Sequence, residues 1–298
     1  MHPELELAIC ILNGYPQASR AKLEAAGVTQ AHNLYINFLE QYLPRVKIDV
    51  LFISDLATVL PSGNALSAYD AYIWTGSDLT IYHQDDPRVV RQIEFSRAIY
   101  RAGPPQYGSC WGVQMAAVAA GGEVQKNPRG REWGLARDIQ LTPEGQRSPL
   151  YAGKPPSFDG FIMHLDEVTR LPAGAKLLAG NEHTPVQAVE VKYGRGTFWA
   201  TQYHPEYNLD EMAKLIKTRS QALVKEGFFP APAAAQALAD KMSELYRHPD
   251  AQELREELQI GDDILTAEIR EGELRNWIDH LVIPSLGAAK ERGHETEG

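Results

Sequence analysis

Along the first half of the chain, short runs of consecutive apolar residues alternate with longer stretches in which apolar positions recur every third or fourth residue. Leu5 to Leu12 is a compact apolar run closed by Asn13-Gly14. Lys47 to Ile53 is a second, and Ala71 to Trp74 a third that stops at Thr75-Gly76-Ser77. Runs of this length, β-rich and bounded by turn-forming residues, read as strands. Between them, His32 to Tyr42 places Tyr35, Phe38, Leu39 and Tyr42 at helical spacing. Pro87 to Ala102 opens with proline at a tolerated first helical position and closes at Gly103. A fourth strand is expected at Gln106 to Ser109, and a helix at Trp111 to Ala120, ended by Gly121-Gly122. Such β-α-β alternation predicts an α/β fold with a mainly parallel, twisted sheet flanked by helices on both faces. After Gly227 and the proline-rich turn to Pro232 only helical spacing remains, including Leu274, Trp277, Ile278 and Leu281. The expected division is an α/β unit over 1–227 and a helical extension over 228–298. The extension reads as a cover over the sheet or a dimerisation element.

Composition narrows the function classes. A chain of 298 residues, 44% of them hydrophobic, is long enough to bury a full core. Its net charge of −10, with lysine and arginine scattered, offers no field for nucleic acid or anionic lipid. The acidic N-terminal segment is unlike a signal peptide, and no apolar run approaches the roughly 18 residues of a membrane span, so a cytoplasmic location is expected. The two cysteines, Cys10 and Cys110, are far apart with no C-x-x-C pair, which gives no support to a disulfide framework or a cysteine-type zinc site.

Cys110 stands between Gly108 and Gly112, at a turn from predicted strand to predicted helix. A nucleophile on such an elbow projects at the carboxyl end of the sheet, and the helix N-terminus behind it favours a thiolate. The flanking glycines are expected to let the backbone bend and a substrate approach. A thiol nucleophile needs a base, and of nine histidines His204 is the informative one, because the strand-like run from Phe198 ends in His204-Pro205-Glu206. In an extended segment positions i and i+2 share a side, so Glu206 would orient the His204 ring.

Gly108-Ser-Cys-Trp-Gly-Val-Gln114 followed by Gln202-Tyr-His-Pro-Glu206 resembles the class I glutamine amidotransferases, with their G-x-C-x-G-x-Q elbow and H-P-E segment. Thr75-Gly76-Ser77, Glu132-Trp133-Gly134, the stretch His164 to Pro172 and the stretch Asn181 to Gln187 are similar to further motifs of that family, in the same order. The likeness covers about residues 5 to 225 and is nearest to stand-alone proteins resembling the amidotransferase domain of GMP synthase. It implies the family's flavodoxin-like fold, a Cys110-His204-Glu206 triad, an oxyanion hole from the N–H groups of Gly76 and Trp111, and substrate contacts at Gln114 and His164. It calls for no metal and no organic cofactor, so His164 and His183 are not expected to join His204 around zinc. The oxyanion turn, Thr-Gly-Ser-Asp, departs from the family's double glycine and proline. No ATP-binding loop of a synthetase is found after residue 225.

The implied activity is hydrolysis of a γ-glutamyl amide, either glutamine or a γ-glutamyl conjugate of an amine, through a γ-glutamyl thioester. A synthetase receiving the ammonia, or a second copy of the chain, are the expected candidate partners. Two other classes remain open: a cysteine α/β-hydrolase, in which His280 would be the late histidine, and a non-catalytic binding module on the same fold.

Overall fold

The computed structural model describes residues 2–287. Its strands are β1 (Ala8–Asn13), β2 (Lys47–Phe52), β3 (Ala71–Trp74), β4 (Gln106–Ser109), β5 (Glu123–Lys126), β6 (Glu132–Leu141), β7 (Ser157–His164), β8 (Asp166–Arg170), β9 (Lys176–Gly180), β10 (Ala188–Tyr193) and β11 (Gly196–Thr201). The helices of the first part are α1 (Gln17–Ala25), α2 (Ala31–Tyr42), α3 (Pro87–Ala102), α4 (Trp111–Ala119), α5 (Pro143–Arg147) and α6 (Leu209–Lys225). Beyond Gly227 follow α7 (Pro232–Arg247), α8 (Gln252–Leu258), α9 (Asp262–Leu265), α10 (Ala267–Arg270) and α11 (Gly272–Trp277), which runs on into a π-helical turn over Ile278–Val282.

Nine strands form one sheet in the order β2-β1-β3-β4-β11-β10-β9-β6-β7, and β5 and β8 pair in a separate ribbon. From β2 to β11 every pairing is parallel. The remaining strands, β10, β9, β6 and β7, continue the sheet antiparallel. The expected α/β architecture is therefore present, with an antiparallel wing added to its parallel half. The first strand starts at Ala8 rather than Leu5, since Glu4 and Glu6 turn outward to Arg45.

Local chemistry sets the helix ends. Asp86 caps α3 by accepting from the Arg88 N–H, Pro87 opens it, and Gly103 closes it in the left-handed region at φ 109°. Helix α2 buries Tyr35, Phe38, Leu39 and Tyr42 against one face of the sheet, while its Leu34 packs with α6. Helices α3 and α4 cover the other face, and α4 is buried along nearly its whole length. The helices beyond Gly227 build no core of their own. Leu274, Trp277, Ile278 and Val282 join the α2 face, while Ala239, Met242, Ile260 and Ile264 pack with α6 over Phe161 and Met163. Among the described residues no helix is long and apolar enough to cross a membrane.

In the parallel half, β1 lies between β2 and β3, so the crossover direction reverses there. Open α/β sheets place ligands beyond the carboxyl ends of the strands at such a reversal. Gly14, Gly76, Cys110 and the segment leading to His204 all follow directly on β1, β3, β4 and β11.

Candidate active site

Strand β4 ends at Ser109 and α4 begins at Trp111, which leaves Cys110 as the single residue of the turn, at φ 53° and ψ −94°. A residue with a Cβ in this region is strained, at a cost on the order of 1–3 kcal/mol that the surrounding structure must absorb. What holds it is visible on both sides. The Cys110 N–H donates to the Thr201 carbonyl at 2.8 Å, and the Cys110 carbonyl accepts from Val113 in the first turn of α4.

The two glycines serve packing rather than substrate approach, which corrects the expectation. A Cβ on Gly108 would lie 2.7 Å from the Gly112 Cα and 2.9 Å from the Trp74 Cβ, while one on Gly112 would lie 3.5 Å from Trp74. They let α4 start directly against β3 and β4, and neither lines the cavity in front of the sulfur.

His204 lies beyond the end of β11, between a bend at Gln202–Tyr203 and a turn at Pro205–Glu206, so the segment is not a continuation of the strand. The turn in which Tyr207 N–H donates to the His204 carbonyl folds Glu206 back onto the ring, with Oε1 2.7 Å from Nδ1. His204 and Cys110 line the same cavity. Burial alone would pull the imidazole pKa down. The Glu206 charge and the contact with Cys110 outweigh it and push the value up to about 10.

Four residues that sequence reasoning did not single out complete the geometry. Ser109 donates to Glu206 Oε1 at 2.7 Å and lies 2.7 Å from the Tyr35 hydroxyl, so a chain of hydrogen bonds runs from α2 through β4 to the carboxylate. Tyr207 stacks on His204 with ring centroids 4.1 Å apart. Tyr15 reaches the cavity from the segment after β1. No local pattern marks these residues: Tyr35 and Ser109 read as a core aromatic and a strand-end serine.

Cys110 and His204 open on a cavity of about 170 Å³ whose walls include Tyr15, Gln114 and His164. Gly76 lies against its catalytic edge, where a Cβ would stand 3.4 Å from His204 Cε1 and 3.3 Å from the Tyr15 hydroxyl. Trp111 is the first residue of α4, so its N–H has no acceptor within the helix. Gln114 faces the cavity with a buried Oε1 that has no partner among the described residues. His164 also lines the cavity, but its nitrogens are engaged: Nδ1 with the Asp166 carbonyl at 2.8 Å and Nε2 with Glu132 at 3.0 Å. The expected polar substrate contact at His164 has no free nitrogen to make it, and the ring is held as a wall.

Glu132 gathers Asn181, Thr184 and Gln187 around the same carboxylate, which ties two of the sequence motifs into one buried network. His183 lies at the margin of that network and away from His204. His280 is exposed in the π-helical turn and lines no part of the cavity, which removes the α/β-hydrolase arrangement. Cys10 is fully buried within β1, and its thiol pKa is raised far above the ordinary value, first by burial and then by Asp49.

The family model of glutamine amidotransferase class-I matches residues 83–220, a span that holds Cys110, His204 and Glu206. Over 283 residues, covering 94% of this chain and 95% of the relative, the sequence is 34% identical to gamma-glutamyl-L-1-hydroxyisopropylamide hydrolase of a Pseudomonas species. The chain belongs to the class I glutamine amidotransferases. Another relative is a glutamine-hydrolysing GMP synthase subunit of Ignicoccus hospitalis, 31% identical over 148 residues, or 50% of this chain and 72% of that protein. Among solved structures, a glutamine amidotransferase from Thermotoga maritima superposes with a TM-score of 0.63 at 17% identity, covering 93% of this chain and 98% of that one. That likeness shows the fold of this class I amidotransferase to extend across the C-terminal helices as well.

Proposed function

We propose that this protein hydrolyses a γ-glutamyl amide and releases glutamate and a free amine, with Cys110, His204 and Glu206 as the triad. The observation that carries the proposal is the strained Cys110 elbow, which shares one cavity with a His204 ring that Glu206 holds in place. His204 takes the Cys110 proton, and Cys110 Sγ attacks the γ-carbonyl carbon as the carbonyl electrons move to its oxygen. The N–H groups of Gly76 and Trp111 receive that oxyanion; each such donor supplies about 2.7 to 4 kcal/mol of transition-state stabilisation. Collapse of the tetrahedral intermediate breaks the C–N bond while His204 gives its proton to the leaving nitrogen. Neutral His204 then takes a proton from water as the water attacks the thioester, collapse breaks the C–S bond and releases glutamate, and His204 returns the proton to the Cys110 sulfur. Gln114, with its unpartnered Oε1, contributes to holding the glutamyl group.

The relative that spans nearly the whole chain supports a substituted amide as substrate, because its printed activity is on a γ-glutamyl amide of an amino alcohol. The GMP synthase relative supports a second reading, a glutaminase that passes ammonia to a synthetase, but it matches only half of the chain. Amine release by the purified protein alone separates the two. A kcat/KM at least about tenfold higher for a γ-glutamyl alkylamide than for glutamine, a difference of about 1.4 kcal/mol, is the expected result. A protein inert on every amide until a synthetase is added would instead be the glutaminase component of a larger enzyme. Neither reaction uses a cofactor, and a homodimer is compatible with both.

A further inference from the structure

Two arginines reach the cavity, and they differ in what they already hold. Arg131 sets Nε and Nη2 on the two Glu226 oxygens at 2.7 and 3.0 Å, so its charge already has a carboxylate partner. Arg219, in the second half of α6, is half-buried and makes no hydrogen bond or ion pair with the described residues; its nearby acid, Glu226, is the one Arg131 occupies. It stands four residues after Leu215, so the two line the cavity from one helix face. The phenols of Tyr15 and Tyr207, beside Cys110 and His204, lie within its field. A half-buried guanidinium aimed at a reaction cavity with no protein anion of its own is matched by an anion on the ligand. Planar carboxylate is the group its fork fits best.

We propose that Arg219 is the specificity residue for the α-carboxylate of the glutamyl half of the substrate. This deepens the proposed function and rests on it for the identity of the substrate. Every γ-glutamyl amide carries that carboxylate whatever its amine, whereas a neutral amine offers Arg219 nothing. The buried Asp166, which lines the same cavity and accepts from the Tyr82 hydroxyl, supplies a charge of the opposite sign, as the zwitterionic head of a glutamyl group requires.

Binding to Cys110→Ala protein tests this without depending on turnover. The probes are γ-glutamyl ethylamide, its 4-aminobutyryl counterpart lacking the α-carboxylate, and γ-glutamyl-glycine with an anionic leaving amine. Adding Arg219→Met should weaken γ-glutamyl ethylamide about 10- to 100-fold, the range of a charged hydrogen bond. The 4-aminobutyryl amide should change less than about threefold, and Arg219→Lys should recover part of the loss, since it keeps the charge without the fork. Equal weakening of both amides, or a loss confined to γ-glutamyl-glycine, would overturn the assignment. The functional reading fails differently: protein with Cys110 intact would then release amine from none of the amides, whatever the binding data show.

Discussion

Two buried carboxylates, Glu206 and Glu273, lie on either side of the same short segment, and only one of them faces chemistry. Each has one oxygen engaged and a second buried without a partner. Glu206 is bonded by His204 and by Ser109, and its partner histidine opens on the cavity. Glu273, brought from α11, is sealed against Lys154 and receives the hydroxyl of Tyr203, the residue just before His204. Lys154 is itself buried, 4.3 Å over the Phe158 ring, and burial pulls its pKa down while Glu273 pushes it back up. A buried charge is therefore no mark of a site by itself. What separates the two is the cavity onto which the partner of Glu206 opens.

The comparison is broken most severely on the Glu206 side. Cys110→Ala should lower amine release by about 10⁴-fold or more, with the fold intact by circular dichroism, since loss of a triad nucleophile leaves only binding and the oxyanion hole. Glu206→Gln should cost on the order of 10⁴-fold in kcat by the same reasoning. It should also move the alkaline limb of kcat/KM. In the proposed mechanism His204 acts as the acid while protonated, so wild-type activity should fall as pH rises through about 10, and loss of the Glu206 charge should bring that fall to lower pH. An unmoved limb would detach His204 from Glu206.

On the Glu273 side the expected loss is stability. Glu273→Leu alone strands the Lys154 charge and should destabilise by about 3–5 kcal/mol, whereas adding Lys154→Met should recover most of it, because a matched apolar pair replaces a buried ion pair at little cost. Denaturant titration of the single and double variants checks this, and a double variant as unstable as the single one would contradict it. The smallest effect belongs to Tyr35→Phe, which removes one neutral hydrogen bond to Ser109 and should cost about 1 kcal/mol, with turnover lowered only modestly.

The contrast also shows which parts of the molecule a linear reading reaches. β3, α3 and β4 are bracketed by glycine, proline and an aspartate cap, and these local signals fix their ends. The antiparallel wing was not foreseen. In β6 the two-residue alternation is broken where the register shifts between Ala136 and Ile139 and Asp138 takes φ 51°, so the pattern of a half-buried strand is lost. The Cys110 elbow and the His204-Pro205-Glu206 segment were legible because the chemistry constrains neighbours in sequence. Ser109, Tyr35, Arg219 and the Lys154–Glu273 pair were not, because each acquires its meaning from a residue far away along the chain. The packing role of Gly108 and Gly112 was equally hidden, since the sequence does not show that Trp74 stands behind them.

Mass-spectrometric mapping of a glutamine-like chloroketone on the native protein tests most directly whether Cys110, activated by His204, is the nucleophile. Cys10 is the internal control, fully buried in β1 with a thiol held protonated. The expected result is stoichiometric labelling of Cys110 alone, slowed by an excess of γ-glutamyl ethylamide and by Glu206→Gln. Labelling of both cysteines at similar rates, or of Cys110 at a rate indifferent to substrate and to Glu206, would contradict it.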